Sequence, residues 1–552
     1  MSATQSEGAP EPRRVVVVGG VAGGMSAATR LRRLDERAVI TVFERGGYVS
    51  FANCGLPYHV GGVIAERDAL LLQTPASLGR RFGLDVRVGH EVVGIDRTAR
   101  SVRVREVATG REFDEPYDDL ILSPGASPIV PDVPGAERAR TLRTIEDTDA
   151  LVAALAAEPR TAVVIGGGFI GLEVAENLVH RGLDVTVVEL ADQVLAPLDP
   201  ELAALVADEL AGHGVRVATG VSVTAIGPAD VMLSTGERLP ADLVVAAIGV
   251  RPDSRLAADA GLAVNDRGGI VVDDHQRTSD EHIFAVGDAA QKADAVSGGA
   301  AMVPLAQTAN RHGRLVADVI CGRETASRPV LGTAIVRVFG LAAATTGWNE
   351  KRLRAAGRPY RAIHAHPGSH AGYYPGAETL HLKLLVDPAT DAILGAQGVG
   401  RDGVDKRIDV IATAMAGGVT ASGLADLELA YAPQFGSAKD PVTMLGFIAD
   451  NLASGRADSV QWHEVADEQR RGVPVVDVRT PAEFERGHIP GSVNVPVDEL
   501  RDRLDEVPEG DVIVTCQVGL RGHVAESLLA QHGRRVRNLD GGYLTWSALR
   551  PG

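Results

Sequence analysis

Cysteine is scarce. Cys54, Cys321 and Cys516 are the only three in 552 residues. No two of them form a C-x-x-C pair or a zinc ligand set, which excludes a local dithiol, a cysteine-built metal site and a disulfide scaffold. So few cysteines suit a reducing compartment, and a cytoplasmic protein without metal is expected. No run of eighteen apolar residues occurs, so no membrane span is expected. The N-terminal MSATQSEGAPEPRR lacks the apolar core of a signal peptide, and residues 1–13 read as a disordered tail. Lysine is sparse too: the basic residues are almost all arginine, a pattern that says little about function. Positive charge as a whole is in deficit, and a formal net charge of −17 argues against a general nucleic-acid binder. What remains is an ordinary globular composition, 45% apolar and 23% charged, on a chain long enough for several domains.

Two stretches share one design. Around residues 15–44, RVVVVGG leads through VAGGMSAATRLRRL to AVITVFE, which ends on Glu44. Around residues 161–189, TAVVIGG leads through GFIGLEVAENLVHRG to LDVTVVE, which ends on Glu189. Apolar strand, glycine turn, helix and second strand make a β-α-β unit. Two such units far apart predict two nucleotide-binding domains. Residues 457–552 have their own strand-and-helix rhythm, after a small, polar NLASGRADS that reads as a linker over 451–460.

The second unit holds a strict G-x-G-x-x-G in Gly166, Gly168 and Gly171. The first glycine permits the tight turn, the second lets backbone approach a pyrophosphate, and the third lets helix pack on strand. The phosphates then lie at the helix start, where free N–H groups and the dipole favour negative charge. Glu189 stands where a carboxylate can accept from a ribose 2′-OH and repel a 2′-phosphate. NADH is therefore expected over NADPH. The first unit is looser: Gly19, Gly20, Gly23 and Gly24 are present, but Val21 takes the place of the middle glycine. Glu44 ends its second strand as a ribose ligand should. LILSPGASP supplies a strand and a turn at Gly125. TSDEHIFAVGDAA supplies a short strand followed by Gly287-Asp288, where Asp288 can bind ribityl or ribose hydroxyls beside an expected helix start.

In this order, with GVRPDS at 249–254, these segments resemble the two-dinucleotide flavoprotein disulfide reductases from residue 15 to about 445. The resemblance implies that the first unit and the Gly-Asp segment bind FAD and that the second binds the nicotinamide cofactor. Phe169 matches the aromatic position that this family places over the nicotinamide side of the flavin, and Glu173 matches a glutamate near the flavin. Many members carry C-x4-C, but the residue five after Cys54 is His59. The segment SFANCGLPY instead resembles the single-cysteine branch, which includes coenzyme A-disulfide reductases, NADH-dependent persulfide reductases, and NADH oxidases and peroxidases. In the reductases the second sulfur arrives with the substrate, typically coenzyme A. In the oxidases and peroxidases the cysteine cycles through sulfenic acid. Ser50 and Asn53 match the motif and are expected to position substrate. The chemistry needs a thiolate at Cys54, which a neighbouring flavin and backbone N–H groups are expected to favour.

Residues 331–450 resemble the family's dimerisation domain, implying a homodimer. GYYPGAE and AYAPQFGSAKDP resemble segments that reach the partner's cysteine, with Tyr373 and Tyr431 the candidate active-site phenols. Gln434 and Gly436 depart from the usual form of the second segment. Residues 475–546 resemble a rhodanese domain through VVDVRTPAEFERGHIPGSVNVP, VIVTCQVGLRG and LDGGYLTW. Its C-x4-R loop runs from Cys516 to Arg521, and successive N–H groups there can cradle a thiolate or persulfide. Arg521 adds charge or anchors the loop. Asp477, Arg479, Glu483 and His488 match the first motif and read as structural, as does Cys321.

The expected fold is α/β: two Rossmann-like dinucleotide-binding domains (14–150 plus 255–330 for FAD, 151–254 for NAD(P)H), an α+β dimerisation domain at 331–450, and a C-terminal rhodanese α/β domain at 461–552. The expected function is NADH-dependent reduction of coenzyme A disulfide, persulfide or polysulfide. Electrons pass from NADH through FAD to Cys54, and Cys516 handles sulfane sulfur. One alternative is an NADH oxidase or peroxidase, which leaves the rhodanese domain idle. The other is a non-reductive sulfur carrier with structural FAD, which leaves the NADH fingerprint unused.

Overall fold

The structure, a computed structural model, describes residues 11–549. Most of the tail expected at 1–13 lies outside them. The chain forms two compact units: residues up to Val188 with Val221–Val330, and Glu189–Gly220 with Leu331 onward.

In the first unit, Arg14–Val18 is the middle strand of a five-stranded sheet. It pairs in parallel with Val39–Glu44 on one side and Asp119–Leu122 on the other, and Asp85–Val88 and Ile283–Ala285 complete the sheet. Both faces are covered, so its centre reads as unbroken Val15–Val18. Helices Ala22–Leu34 and Ala306–Ile320 cover one face. Their approach requires glycine, because a Cβ on Gly313 would lie 2.2 Å from Gly23 O. An antiparallel layer, His90–Asp96, Ser101–Glu106 and Glu112–Pro116, covers the other. The second β-α-β repeats the plan with strand Thr161–Ile165, helix Phe169–His180 and strand Asp184–Val188; Leu243–Ala246 pairs on the far side of the first strand. Each glycine turn therefore sits at the carboxyl end of a parallel strand, where open α/β sheets bind ligands.

In the second unit a five-stranded antiparallel sheet runs in the order Ala334–Val338, Leu341–Gly347, Ile393–Gly400, Leu380–Val386, Arg361–Ala365. Helices Val404–Gly417 and Pro441–Ala453 bury Ile408, Ile411, Val442 and Leu445 against it. A parallel sheet follows, ordered Ser459–Val460, Arg535–Leu539, Asp511–Thr515, Val475–Asp477, Val493–Asn494.

The mixed α/β class is as expected, but two local expectations change. Within 451–460, Asn451–Ala453 finish a helix and Ser459–Val460 pair as a strand, leaving only 454–458 without regular structure. Small polar residues close a helix as readily as they fill a loop. The helix expected beside Asp288 is also absent. Gly287–Ala289 is a single 3₁₀ turn, a small hairpin of Lys292–Ala293 with Ala300–Ala301 follows, and the long helix begins at Ala306.

Candidate active sites

The two glycine turns differ in a way that suits their expected ligands. A Cβ on Gly166 would lie 2.4 Å from Ala247 O, and one on Gly171 would lie 1.9 Å from Gly166 O. Protein packing alone explains those two. Gly168 has nothing within 4 Å of where its Cβ would be, so the space above the turn is open, as a pyrophosphate there would require. Neither Ala22–Leu34 nor Phe169–His180 has a side-chain cap or an acidic residue in its first turn, which leaves both helix starts receptive to phosphate. In the first unit, Gly19, Gly20, Gly23 and Gly24 are all demanded by contacts with the protein itself. Glu44 accepts from Gly20 N and Gly46 N, both at 2.9 Å. One bond on each oxygen leaves lone pairs for ribose hydroxyls. Glu189 follows the strand Asp184–Val188 and accepts from Ala191 N at 2.8 Å. These residues fit two dinucleotides.

Cys54 lies in the turn Asn53–Gly55, just before the short helix Leu56–Val60. Ser50 N donates to Gly20 O at 2.9 Å, which ties this segment to the first glycine turn. Ser50 itself is left-handed, with φ +48°, strain of the kind that collects at functional sites. Beyond Cys54, Tyr58 Oη donates to Glu173 Oε1 at 3.1 Å. Gly61 packs so tightly on Asn177 that a Cβ would lie 1.9 Å from its Oδ1. The cysteine's segment is therefore held between the first glycine turn and the helix Phe169–His180. His59, where a second cysteine would stand, bonds Ile64 O through Nδ1 at 2.7 Å.

Arg143 is one residue that sequence reasoning missed. In the orientation that satisfies the Asn53 amide, Arg143 Nη1 donates to Asn53 Oδ1 at 3.0 Å and Asn53 Nδ2 donates to Phe51 O at 3.2 Å. Arg143 also reaches Asp288 Oδ2 at 3.2 Å and Ala126 O at 3.1 Å, and it passes beside Gly125. It thus joins the turn at Gly125, the Gly-Asp segment and the cysteine loop. Lys292 was missed as well. It is buried and donates to Gly287 O at 2.5 Å and Ala290 O at 2.9 Å, which fixes the turn holding Asp288. Burial lowers its pKa to about 8, against the pull of Asp288.

Cys54 is exposed, yet the protein on its inner side pushes the thiol up, first by burial and then through Glu173 and Asp288; Arg143 alone among these opposes. Burial also raises Glu173, with Glu176 adding and Tyr58 opposing. The surrounding carboxylates therefore do not supply the expected thiolate.

In the second unit Tyr373 and Tyr431 come together, Oη to Oη at 3.0 Å, and are 77% and 49% exposed. Ala371 N donates to Gly436 O at 3.0 Å, which joins the two tyrosine segments through one of the departures from the usual motif. Gln434, the other departure, is exposed.

Cys516 is buried between the strand Asp511–Thr515 and the helix Leu520–Gln531. Gly519, left-handed at φ +92°, turns its N–H onto the sulfur at 3.2 Å. Arg521 makes a two-pronged pair with Glu483 at 2.7 and 2.8 Å, and Cys516 adds to the groups that favour its charge. That pair holds the Glu483 carboxyl down at about 2. Buried Arg479 pairs with Asp477, lies over the Tyr543 ring at 4.3 Å and reaches Gln517 at 3.1 Å. His488 stacks on Phe484. Cys321 is half-buried with its thiol raised by burial.

The fold and these sites define a class, and comparison with known proteins agrees. The chain belongs to the pyridine nucleotide-disulphide oxidoreductase family: the family's model matches residues 13–313 and its dimerisation-domain model residues 333–441. Within that family this chain is a fusion, since a rhodanese-like domain matches residues 461–549. It is 35% identical over 442 residues to the coenzyme A disulfide reductase of Staphylococcus haemolyticus, covering 80% of this chain and all of that one. Reduced Bacillus anthracis CoADR-RHD superposes with a TM-score of 0.96 at 49% identity, covering 97% of this chain and 98% of that one. The NAD-dependent persulfide reductase of A. fulgidus superposes with a TM-score of 0.91 at 38% identity, covering 97% of this chain and all of the other.

Proposed function

We propose that this protein is an NADH-dependent reductase of coenzyme A disulfide, coenzyme A persulfide or polysulfide. The observation that carries the reading is a lone cysteine whose segment is tied to the first glycine turn and packed on the helix that opens the second, on a chain that also holds a cysteine in a rhodanese-type loop. Bound FAD supplies a two-electron carrier between a nicotinamide and a sulfur–sulfur bond. Gly19, Gly20, Gly23, Gly24, Glu44, Gly125, Arg143 and Asp288 would hold it, with Phe169 and Glu173 beside the flavin; Gly166, Gly168, Gly171 and Glu189 would hold the nicotinamide nucleotide. Cys54 attacks one sulfur of the substrate. The S–S bond breaks, one fragment leaves as thiolate or hydrosulfide, and the other stays on Cys54 as a mixed disulfide or persulfide. Releasing Cys54 consumes the electron pair of NADH. Ser50 and Asn53 position the substrate, and the Tyr373–Tyr431 pair donates a hydrogen bond or proton to the departing sulfur. Exposed Tyr373, Tyr431, Phe435 and Phe447 support a homodimer through the dimerisation domain. Three unpaired cysteines support a cytoplasmic site, and no helix among the described residues is long and apolar enough to cross a membrane.

The fusion favours persulfide, because a sulfurtransferase adds nothing to the reduction of a plain disulfide. Anaerobic NADH consumption with a panel of disulfides and persulfides, with sulfide measured, tests this. Sulfide release matched to NADH is expected. NADH oxidation only in the presence of oxygen or peroxide would replace the reading with an oxidase.

Glu189 sets the choice of nucleotide. A carboxylate at the ribose accepts from a 2′-OH and repels a 2′-phosphate. The ratio of kcat/KM for NADH over NADPH is expected to be roughly tenfold or more. Glu189→Ala is expected to narrow it, chiefly through the KM for NADH. A higher kcat/KM with NADPH in the unaltered protein would sink the assignment.

A further inference from the structure

The strand Arg361–Ala365 is an edge of the dimerisation sheet, and its outward backbone groups need partners. The C-terminal module supplies them. Asp540 accepts the His364 backbone N–H with both carboxylate oxygens at 3.0 Å. Gln461 Nε2 donates to Ala362 O at 3.2 Å and to Asp540 Oδ2 at 3.1 Å. The His364 ring is buried with a carboxylate at each nitrogen: Nδ1 is 2.6 Å from Asp540 Oδ2, and Nε2 is 3.0 Å from Glu201 Oε1. Ionised carboxylates only accept, so both nitrogens donate and the ring is an imidazolium. Glu201 belongs to the helix Pro200–Gly212 and is shared with buried Lys383, whose Nζ lies 3.0 Å from both Asp199 and Glu350.

Asp540 leads directly into the segment that shapes the Cys516 loop. A Cβ on Gly541 would lie 2.8 Å from His364 Cβ, and one on Gly542 would lie 2.5 Å from Cys516 O. Tyr543 N donates to Cys516 O at 2.7 Å and Leu544 N to Gln517 O at 3.0 Å. One side of this segment touches His364, and the other touches the cysteine loop.

We propose that His364, as an imidazolium, is a positioning residue for sulfur transfer at Cys516: by fixing Asp540 it holds the 541–544 segment, and with it the Cys516 loop, in one register against the dimerisation sheet. The proposal rests on the sulfur-transfer reading of Cys516. Burial works against the charge on His364, but Asp540 and Glu201 outweigh it and Lys383, raising its pKa from 6.5 to about 9. A raised histidine stabilises the state that binds its proton. The contribution is complete below the ordinary value and is lost as pH rises through about 9. Glu201 is held low and Lys383 high, while His366, which bonds Thr545, is held well down by burial. Lys351, which faces Asp199 and Glu201 rather than His364, is lowered from its ordinary value by burial.

The test uses the full-length flavin-loaded protein and His364→Gln, which removes the charge. Two quantities are followed from pH 7 to 10: Cys516-dependent transfer of sulfur from polysulfide to cyanide, and hydrogen exchange of the backbone amides of 541–546, corrected for its intrinsic pH dependence. In the variant, exchange in that segment is expected to quicken roughly tenfold or more, and transfer to fall by a similar factor. Flavin content and NADH-linked reduction at Cys54 stay unchanged. In the unaltered protein, protection of 541–546 fades as pH passes about 9, and the variant lacks that step. His364→Gln with Asp540→Asn is expected to be no worse than either alone. Wild-type exchange at 541–546 in the variant overturns the proposal, and so does faster exchange spread evenly over the whole C-terminal module. If the variant does not fold, the pH dependence of protection in the unaltered protein decides alone. If the unaltered protein moves no sulfur through Cys516, the functional reading fails, while the exchange data still decide whether His364 holds the loop.

Discussion

Cys54→Ser is expected to abolish NADH-linked reduction of disulfide and persulfide, by on the order of 10³-fold or more, while flavin and nucleotide binding persist. A serine hydroxyl is isosteric with the thiol but cannot form the mixed disulfide. The substitution removes no structural contact of note. Cys54 is exposed, and its loop is held by Ser50 N on Gly20 O and by the packing of Gly61 on Asn177. The residues proposed to hold the flavin stay in place, because Arg143 reaches Asn53 and Asp288 without involving the sulfur. Flavin absorbance and NADH titration should match those of the unaltered protein while turnover disappears. Full persulfide turnover by the serine variant would show that Cys54 is a bystander. The raised thiol adds a second expectation. Burial, Glu173 and Asp288 all disfavour the thiolate. Removing the Glu173 charge as Glu173→Gln should therefore shift the alkylation of Cys54 by iodoacetamide to lower pH. Unchanged alkylation would mean that the carboxylate does not govern the thiol.

What the sequence made legible follows from distance along the chain. The strand, turn and helix of each β-α-β unit are local, so Gly166, Gly168 and Gly171 could be read from spacing alone. Glu44 and Glu189 could be read from their places at strand ends. Cys516 was legible because its loop is contiguous from Cys516 to Arg521. Arg143 was not: its partners Asn53 and Asp288 lie on separate segments, and an arginine in LRTIED carries no local mark of a site. The helix expected after Asp288 was a misreading of the same kind, since a glycine and an aspartate start a helix or a 3₁₀ turn with equal ease. His364 and Asp540, 176 positions apart, meet where the edge strand's N–H and the imidazole both find the Asp540 carboxylate. No pattern in either segment announces the pairing.

Cys516→Ser is expected to separate the two halves of the chemistry. Sulfur transfer from thiosulfate or polysulfide to an acceptor should fall on the order of 10³-fold or more, since Cys516 is the only cysteine in a rhodanese-type loop. The loop itself should survive, because its shape is set by contacts that do not involve the sulfur: Tyr543 N on Cys516 O, Leu544 N on Gln517 O, and the Glu483–Arg521 side-chain pair. Reduction of a soluble coenzyme A persulfide should largely persist, because a small substrate reaches exposed Cys54 through solvent. A tethered sulfur donor raises the local supply without having to be its sole route. Sulfur transfer and NADH oxidation, measured on the same preparation, distinguish three outcomes. Loss of transfer with retained reduction supports two sites linked through a diffusing persulfide. Loss of both makes Cys516 an obligatory relay to Cys54. Retained transfer removes the assignment of the C-terminal domain, and with it the reason to favour persulfide over disulfide.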